Sequence, residues 1–141
     1  MVVLGFDYGS RKIGVAVGQT LTRQASPLTT LSMVQQRPDW DAIHRLIAEW
    51  RPAALIVGLP LNMDGTPTLL TGRIGRFGRQ LEGRYHLPVH LADERLTSRA
   101  AREDFGPGMN KSGGIDAFAA KLIIETWLSE YDERDSDSRQ P

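Results

Sequence analysis

Residues 2–18 hold two short β-branched segments, "VVLGFD" (2–7) and "KIGVAVG" (12–18), with "YGSR" between them supplying turn chemistry. The pair predicts a hairpin, which commits the chain to an antiparallel start. A third strand is expected around "SPLTTLS" (26–32). The hydrophobic period then changes. In "PDWDAIHRLIAEWRP" the residues Trp40, Ile43, Ile47 and Trp50 follow the three-and-four spacing of one helix face, with Asp39 as cap and Pro52 ending the run. "AALIVGLP" (53–60) is continuously apolar, as suits a strand covered on both faces. Leu70, Ile74, Phe77 and Leu81 form a second helical stripe, and "LPVHLA" (87–92) another strand. A helix from Thr97 to Asp104, a glycine-rich loop and a final helix from Ile115 to Tyr131 complete the reading. A meander followed by βα alternation implies an α/β fold, a mixed sheet with helices packed on it.

Length and charge narrow the class. A chain of 141 residues can bury about 70% of its unfolded surface in one core, so a single domain over 1–131 is expected. Residues 132–141, "DERDSDSRQP", hold four acidic and two basic side chains and read as a disordered charged tail. No segment approaches the roughly 20 apolar residues of a membrane span. The N-terminus lacks the features of a secretory signal and there are no cysteines, so a cytoplasmic address is expected. Seventeen basic and seventeen acidic residues cancel, yet seven arginines gather between Arg73 and Arg102. That stretch is where a phosphate-binding surface is sought.

Three acids stand where chemistry is feasible. Strand alternation puts Val3, Gly5 and Asp7 on one face and Leu4 and Phe6 on the other, with Asp7 at the strand's terminal edge. An Asx-type turn cap is its plainer role. Gly5 leaves room for another backbone to approach, and Gly14 does the same on the neighbouring strand. In "ADERLTS" (92–98) Asp93 and Glu94 end a strand and point to opposite faces, so one of the two is expected to join Asp7; first-turn acids favourable to a helix dipole are the plainer reading. Asp116 lies in the first turn of a largely apolar helix, on the side of Ala120, Ile123 and Trp127. A carboxylate on such a face is costly unless it is paired or bound to a cation, and a simple N-terminal acid is the plainer reading. Three oxygen ligands suit Mg²⁺ or Mn²⁺ better than zinc, and two such ions can drive phosphodiester hydrolysis.

The stretches "FDYGSRKIGVAVG" (6–18), "IVGLPLNMDGT" (56–66), "DERLTS" (93–98) and "IDAFAA" (115–120) resemble, in order, those of the YqgF-type Holliday-junction-resolvase-like family, described as pre-16S ribosomal RNA nucleases of the ribonuclease H-like fold. The resemblance implies three antiparallel strands followed by parallel ones, and a metal-dependent nuclease site. Asp7, Glu94 and Asp116 match the family's acidic motifs, which makes them the expected catalytic and metal-binding residues, with Asp93 in reserve. "DFGPGMNKSGG" (104–114) stands where the family carries a longer loop. The expected function is an endonuclease acting on nucleic acid, either at the 5′ end of pre-16S ribosomal RNA or on branched DNA, as a monomer or homodimer.

Substrate contacts are expected from Arg11 in the hairpin turn, Asn62 after the central strand, Arg95 beside Glu94, and Lys111 in the glycine-rich loop. Thr66 and Pro67 are expected to start the helix after "GLPLNMDGT". Arg73, Arg76 and Arg79 lie off their helix's apolar stripe and would line a groove if they faced the acids. His44, His86 and His90 are read as surface or packing residues, and Trp40 and Trp50 as core. Two other readings stay open. One is a phosphotransferase or ATPase, for which the chain has one Asp-x-Gly hairpin and no second copy. The other is a nucleic-acid-binding assembly factor without turnover.

Overall fold

A computed structural model describes residues 1–59, 64–93 and 114–138. Five strands form one sheet: β1 (Val2–Tyr8), β2 (Lys12–Gln19), β3 (Gln24–Ser32), β4 (Ala54–Leu59) and β5 (Val89–Asp93), in the order β3-β2-β1-β4-β5. β1 pairs antiparallel with β2, and β2 with β3, whereas β4 and β5 continue the sheet in parallel. This is the expected mixed sheet, three antiparallel strands and then two parallel ones. The hairpin closes where the Gly9 N–H donates to the Lys12 carbonyl at 2.8 Å. β3 is an edge strand whose register slips against Val15 and Ala16, beside Pro27.

Helices cover both faces. α1 (Trp40–Trp50) and α2 (Thr71–Tyr85) pack on one, and α3 (Gly114–Ser138) on the other. Strand alternation distributes the core accordingly: Leu4, Phe6 and Tyr8 of β1 point to α1 and α2, and Val3 points to α3. Phe77 of α2 is the centre of the first layer. Its ring meets those of Phe6 (5.7 Å, edge on), Tyr8 (5.0 Å) and Trp40 (5.7 Å). Trp40 and Trp50 are half-buried at the margin of this layer. Behind α3, Ala120, Ile123, Ile124 and Trp127 form the second layer with Val3, Ala16 and Ile56.

Local chemistry sets the helix ends. The Asp39 carboxylate accepts from the Ala42 N–H at 3.1 Å, and left-handed Arg51 closes α1 by donating to the Ile47 carbonyl at 2.8 Å. α2 begins at Thr71, not at Thr66. Asp64 Oδ1 accepts from both the N–H and the hydroxyl of Thr66 (2.9 and 2.7 Å), and these bonds favour a turn there over a helix. Thr68 and Thr71 then fix the start reciprocally: Thr71 Oγ1 accepts from the Thr68 N–H at 2.8 Å, and the Thr68 carbonyl accepts from the Thr71 N–H at 3.2 Å. α3 runs to Ser138, past the expected end at Tyr131 and into the segment read as a tail. Between Ile115 and Ser138 there is no glycine or proline to stop it. The helix expected from Thr97 to Asp104 and the glycine-rich loop after it lie outside the described residues.

Truncating the aromatic centre tests this layer. Phe77→Ala is expected to lower unfolding free energy by about 4 kcal/mol in urea melts, the loss typical of a buried phenylalanine.

Candidate active site at the carboxyl edge of the sheet

Glycines let α3 sit against the hairpin. Gly14 of β2 is directly opposite Asp7 of β1. A Cβ on Gly14 would overlap the main-chain carbonyl of Asp116, and a Cβ on Gly5 would lie 3.3 Å from the Ala120 carbonyl oxygen. The first turn of α3 therefore rests on the strand pair where Asp7 stands. Since Asp7 shares the face of Val3 and Gly5, both acids occupy the α3 face at the carboxyl end of β1. Each is half-buried. Asp116 also falls in the first turn of its helix, where a negative charge meets the positive end of the helix dipole.

β5 fixes the face of one further candidate by parity. His90 lies tilted against Trp127 at 5.3 Å and Ala92 packs in the α3 layer, while Val89 and Leu91 lie toward Gly78 of α2. Asp93 follows Leu91 and is exposed on the α2 face, away from Asp7. Glu94, Asn62, Arg95 and Lys111 lie outside the described residues. Arg11 is exposed in the hairpin turn that follows Asp7, with its carbonyl accepting from the Met33 N–H at 2.9 Å. Among the described residues no group of three His, Asp or Glu side chains could hold a metal ion. What they do provide is two carboxylate-bearing residues, Asp7 and Asp116, at the same end of the α3 face.

The arginines of α2 do not share one groove with the acids, because α2 packs on the other face of the sheet. Arg79 lines a shallow depression with Val89 and Leu91. Arg73, Arg76 and Arg84 turn the other way, into a cavity of about 700 Å³ closed by residues 35–38. The second wall of that cavity went unread in the sequence, since "VQQR" (34–37) lacks the Asn-Gly or Asp-Gly pair that marks a tight turn. The histidines are surface or packing residues as expected: exposed His44 stacks on Tyr85, His90 lies tilted against Trp127, and left-handed His86 caps α2.

Solved structures place this architecture. T. thermophilus RuvC in complex with Holliday junction substrate superposes with a TM-score of 0.54 at 20% identity, over 92% of this chain and 96% of its own. The fowlpox virus resolvase, in complex with Holliday junction DNA, superposes with a TM-score of 0.58 at 10% identity, over 93% of this chain and 99% of its own. The fold is thus ribonuclease H-like, the fold shared by these resolvases. The family model described as "RuvX: Holliday junction resolvase" matches residues 1–130. Relatives named "Putative pre-16S rRNA nuclease" include one from Pseudomonas putida, 49% identical over 132 residues, covering 90% of this chain and 94% of its own. One from Nitrosococcus oceani is 52% identical over 132 residues, covering 92% and 87%. The chain belongs to the RuvX family of resolvase-like nucleases.

The seat of α3 is open to a simple test. Gly14→Ala is expected to lower stability in urea by about 3 kcal/mol, because the new methyl meets main chain that cannot rotate away. Gly83→Ala on α2, where an added Cβ meets nothing within 4 Å, is expected to raise it by about 0.5–1 kcal/mol.

Proposed function

We propose that the protein is a divalent-metal-dependent endonuclease that hydrolyses phosphodiester bonds in structured nucleic acid, with pre-16S ribosomal RNA as its substrate. The reading is supported above all by the seating of the Asp116 main chain on Gly14, the residue directly opposite Asp7. The names of relatives about half identical to this chain direct it to ribosomal RNA. The description of the matching family supports a second substrate, the four-way DNA junction.

Asp7 and Asp116 are proposed to hold the cations through their carboxylate oxygens, with Glu94 as third donor. Asp93 is set aside because β5 turns it to the α2 face. Cations held there would supply activation of a water and stabilisation of the departing oxygen. The protein's own part is to keep two carboxylates at fixed spacing, one on a strand inside a five-stranded sheet and one on a helix seated on that sheet. Exposed Arg11, beside the acids, is proposed to orient a substrate phosphate, with Asn62, Arg95 and Lys111 as further contacts.

Cleavage of labelled pre-16S ribosomal RNA and of a four-way DNA junction, with Mg²⁺ or Mn²⁺, tests the assignment. Asp7→Asn and Asp116→Asn are each expected to reduce turnover about 100-fold or more, and EDTA to abolish it. Wild-type turnover in either variant would sink the site. Independently of turnover, excess Mn²⁺ is expected to raise the melting temperature of the wild type by mass action. Asp116→Asn should remove that shift.

A further inference from the structure

The cavity on the α2 side opens at the same end of the sheet as the acids. Its floor includes Tyr8, which directly follows Asp7 and, by strand alternation, points to the opposite face. One wall is a stripe of α2, Arg73, Arg76, Gln80 and Arg84, at successive spacings that keep them on one side of the helix. The other is the turn after β3, a strand whose last residue, Ser32, pairs with Lys12 at this same edge. Gln35, Gln36 and Arg37 belong to that turn.

Three properties define what the cavity takes. It holds four arginines, all exposed, and no carboxylate among its described lining residues. Arg84 is held in place by stacking on the Trp40 ring, with its guanidinium carbon 4.0 Å from the ring centroid. Burial holds the neighbouring Tyr85 phenol above its usual range, with Arg84 pulling it down, so no phenolate offsets the positive charge near neutral pH. The aromatic surfaces are already engaged: Tyr8 is 5% exposed, and the Trp40 ring has Phe77 and Arg84 against it. Forks and amides are therefore what a ligand meets, and these match phosphate oxygens and sugars in place of base faces.

The turn adds an independent observation. Gln35 and Gln36 both adopt positive φ (52° and 63°), and Val34 and Arg37 exchange N–H···O bonds of 3.2 and 2.9 Å across them. This is a two-residue turn of the primed type, for which Asn-Gly is the relaxed choice. Two glutamines there hold a left-handed backbone that costs a side-chain-bearing residue more than it costs glycine, and both line the cavity.

We propose that this arginine cavity is a phosphodiester-binding subsite, in which the substrate strand, after passing the acids, crosses the sheet edge between Asp7 and Tyr8 and lays its backbone on the α2 face. The proposal rests on the partner being a nucleic acid, but not on turnover. The test is fluorescence anisotropy of a labelled RNA hairpin with a single-stranded extension, titrated with the full chain in EDTA between about 50 and 200 mM salt. The double variant Arg73→Ala, Arg76→Ala is expected to bind about 10-fold more weakly at the lower salt. The slope of log affinity against log salt should fall by about 1.5, equivalent to two lost phosphate contacts. Arg79→Ala, on the other side of α2, should change neither quantity. The double variant Gln35→Asn, Gln36→Gly is expected to melt higher yet bind about 3-fold more weakly, a pairing that mere unfolding cannot produce. Wild-type affinity and slope in either double variant would overturn the subsite. Because binding is read without cleavage, the outcome for Asp7→Asn judges the nuclease reading separately.

Discussion

Close approach of the first turns of α3 to the β1–β2 hairpin is the contact on which the rest of the molecule depends. A helix can come this near to a sheet only where the strands present hydrogen in place of side chains, and Gly5 and Gly14 do so beneath Ala120 and Asp116. The same approach buries Ala120, Ile123 and Ile124 against Val3 and Ile56, so the apolar layer and the placement of the two acids have one cause. Two acids at one end of a sheet face are unfavourable without a counter-charge. Here they stand on elements held by about a dozen buried apolar side chains, so their positions are set by the packing of the layer.

Parity along β1 divides the electrostatics of this edge. Asp7 and Tyr8 are consecutive, yet one belongs to an acidic face and the other to the floor of a basic cavity. The two faces of the sheet thus carry different charged groups at this edge, Asp7 on one and the arginines around Tyr8 on the other. The arrangement suits a polyanion that is gripped on one side and acted upon on the other, since attraction by the arginines offsets the repulsion that unscreened carboxylates exert on phosphate.

Much of this was readable from sequence because local rules and tertiary demands agree. The Asp39 cap, the Trp40-to-Trp50 stripe and the apolar run of β4 each carry one dominant signal, and each element forms where that signal places it. The glycines of the hairpin also spoke plainly, as positions where another backbone lies close. The start of α2 was misread because Thr66 and Pro67 look like a helix beginning, whereas Asp64 captures Thr66 first. The end of α3 was misread because charge density suggested a tail, although nothing in it breaks a helix. Arg73, Arg76 and Arg79 share a helix but not a direction. Sequence spacing gives their angles about the axis and leaves open which face of the sheet the helix covers. The strained Gln35–Gln36 turn has no sequence signature, since its residues contradict its conformation. For Glu94 the argument from parity ends at Asp93.

β3 bears on how copies of the chain can associate. An outer strand with regular free amides invites a neighbour to extend the sheet, but β3 carries Pro27, which has no amide hydrogen, and a register slip beside it. Continuous strand addition along that border is interrupted midway. A second copy would find no unbroken ladder of amides on that side of the sheet.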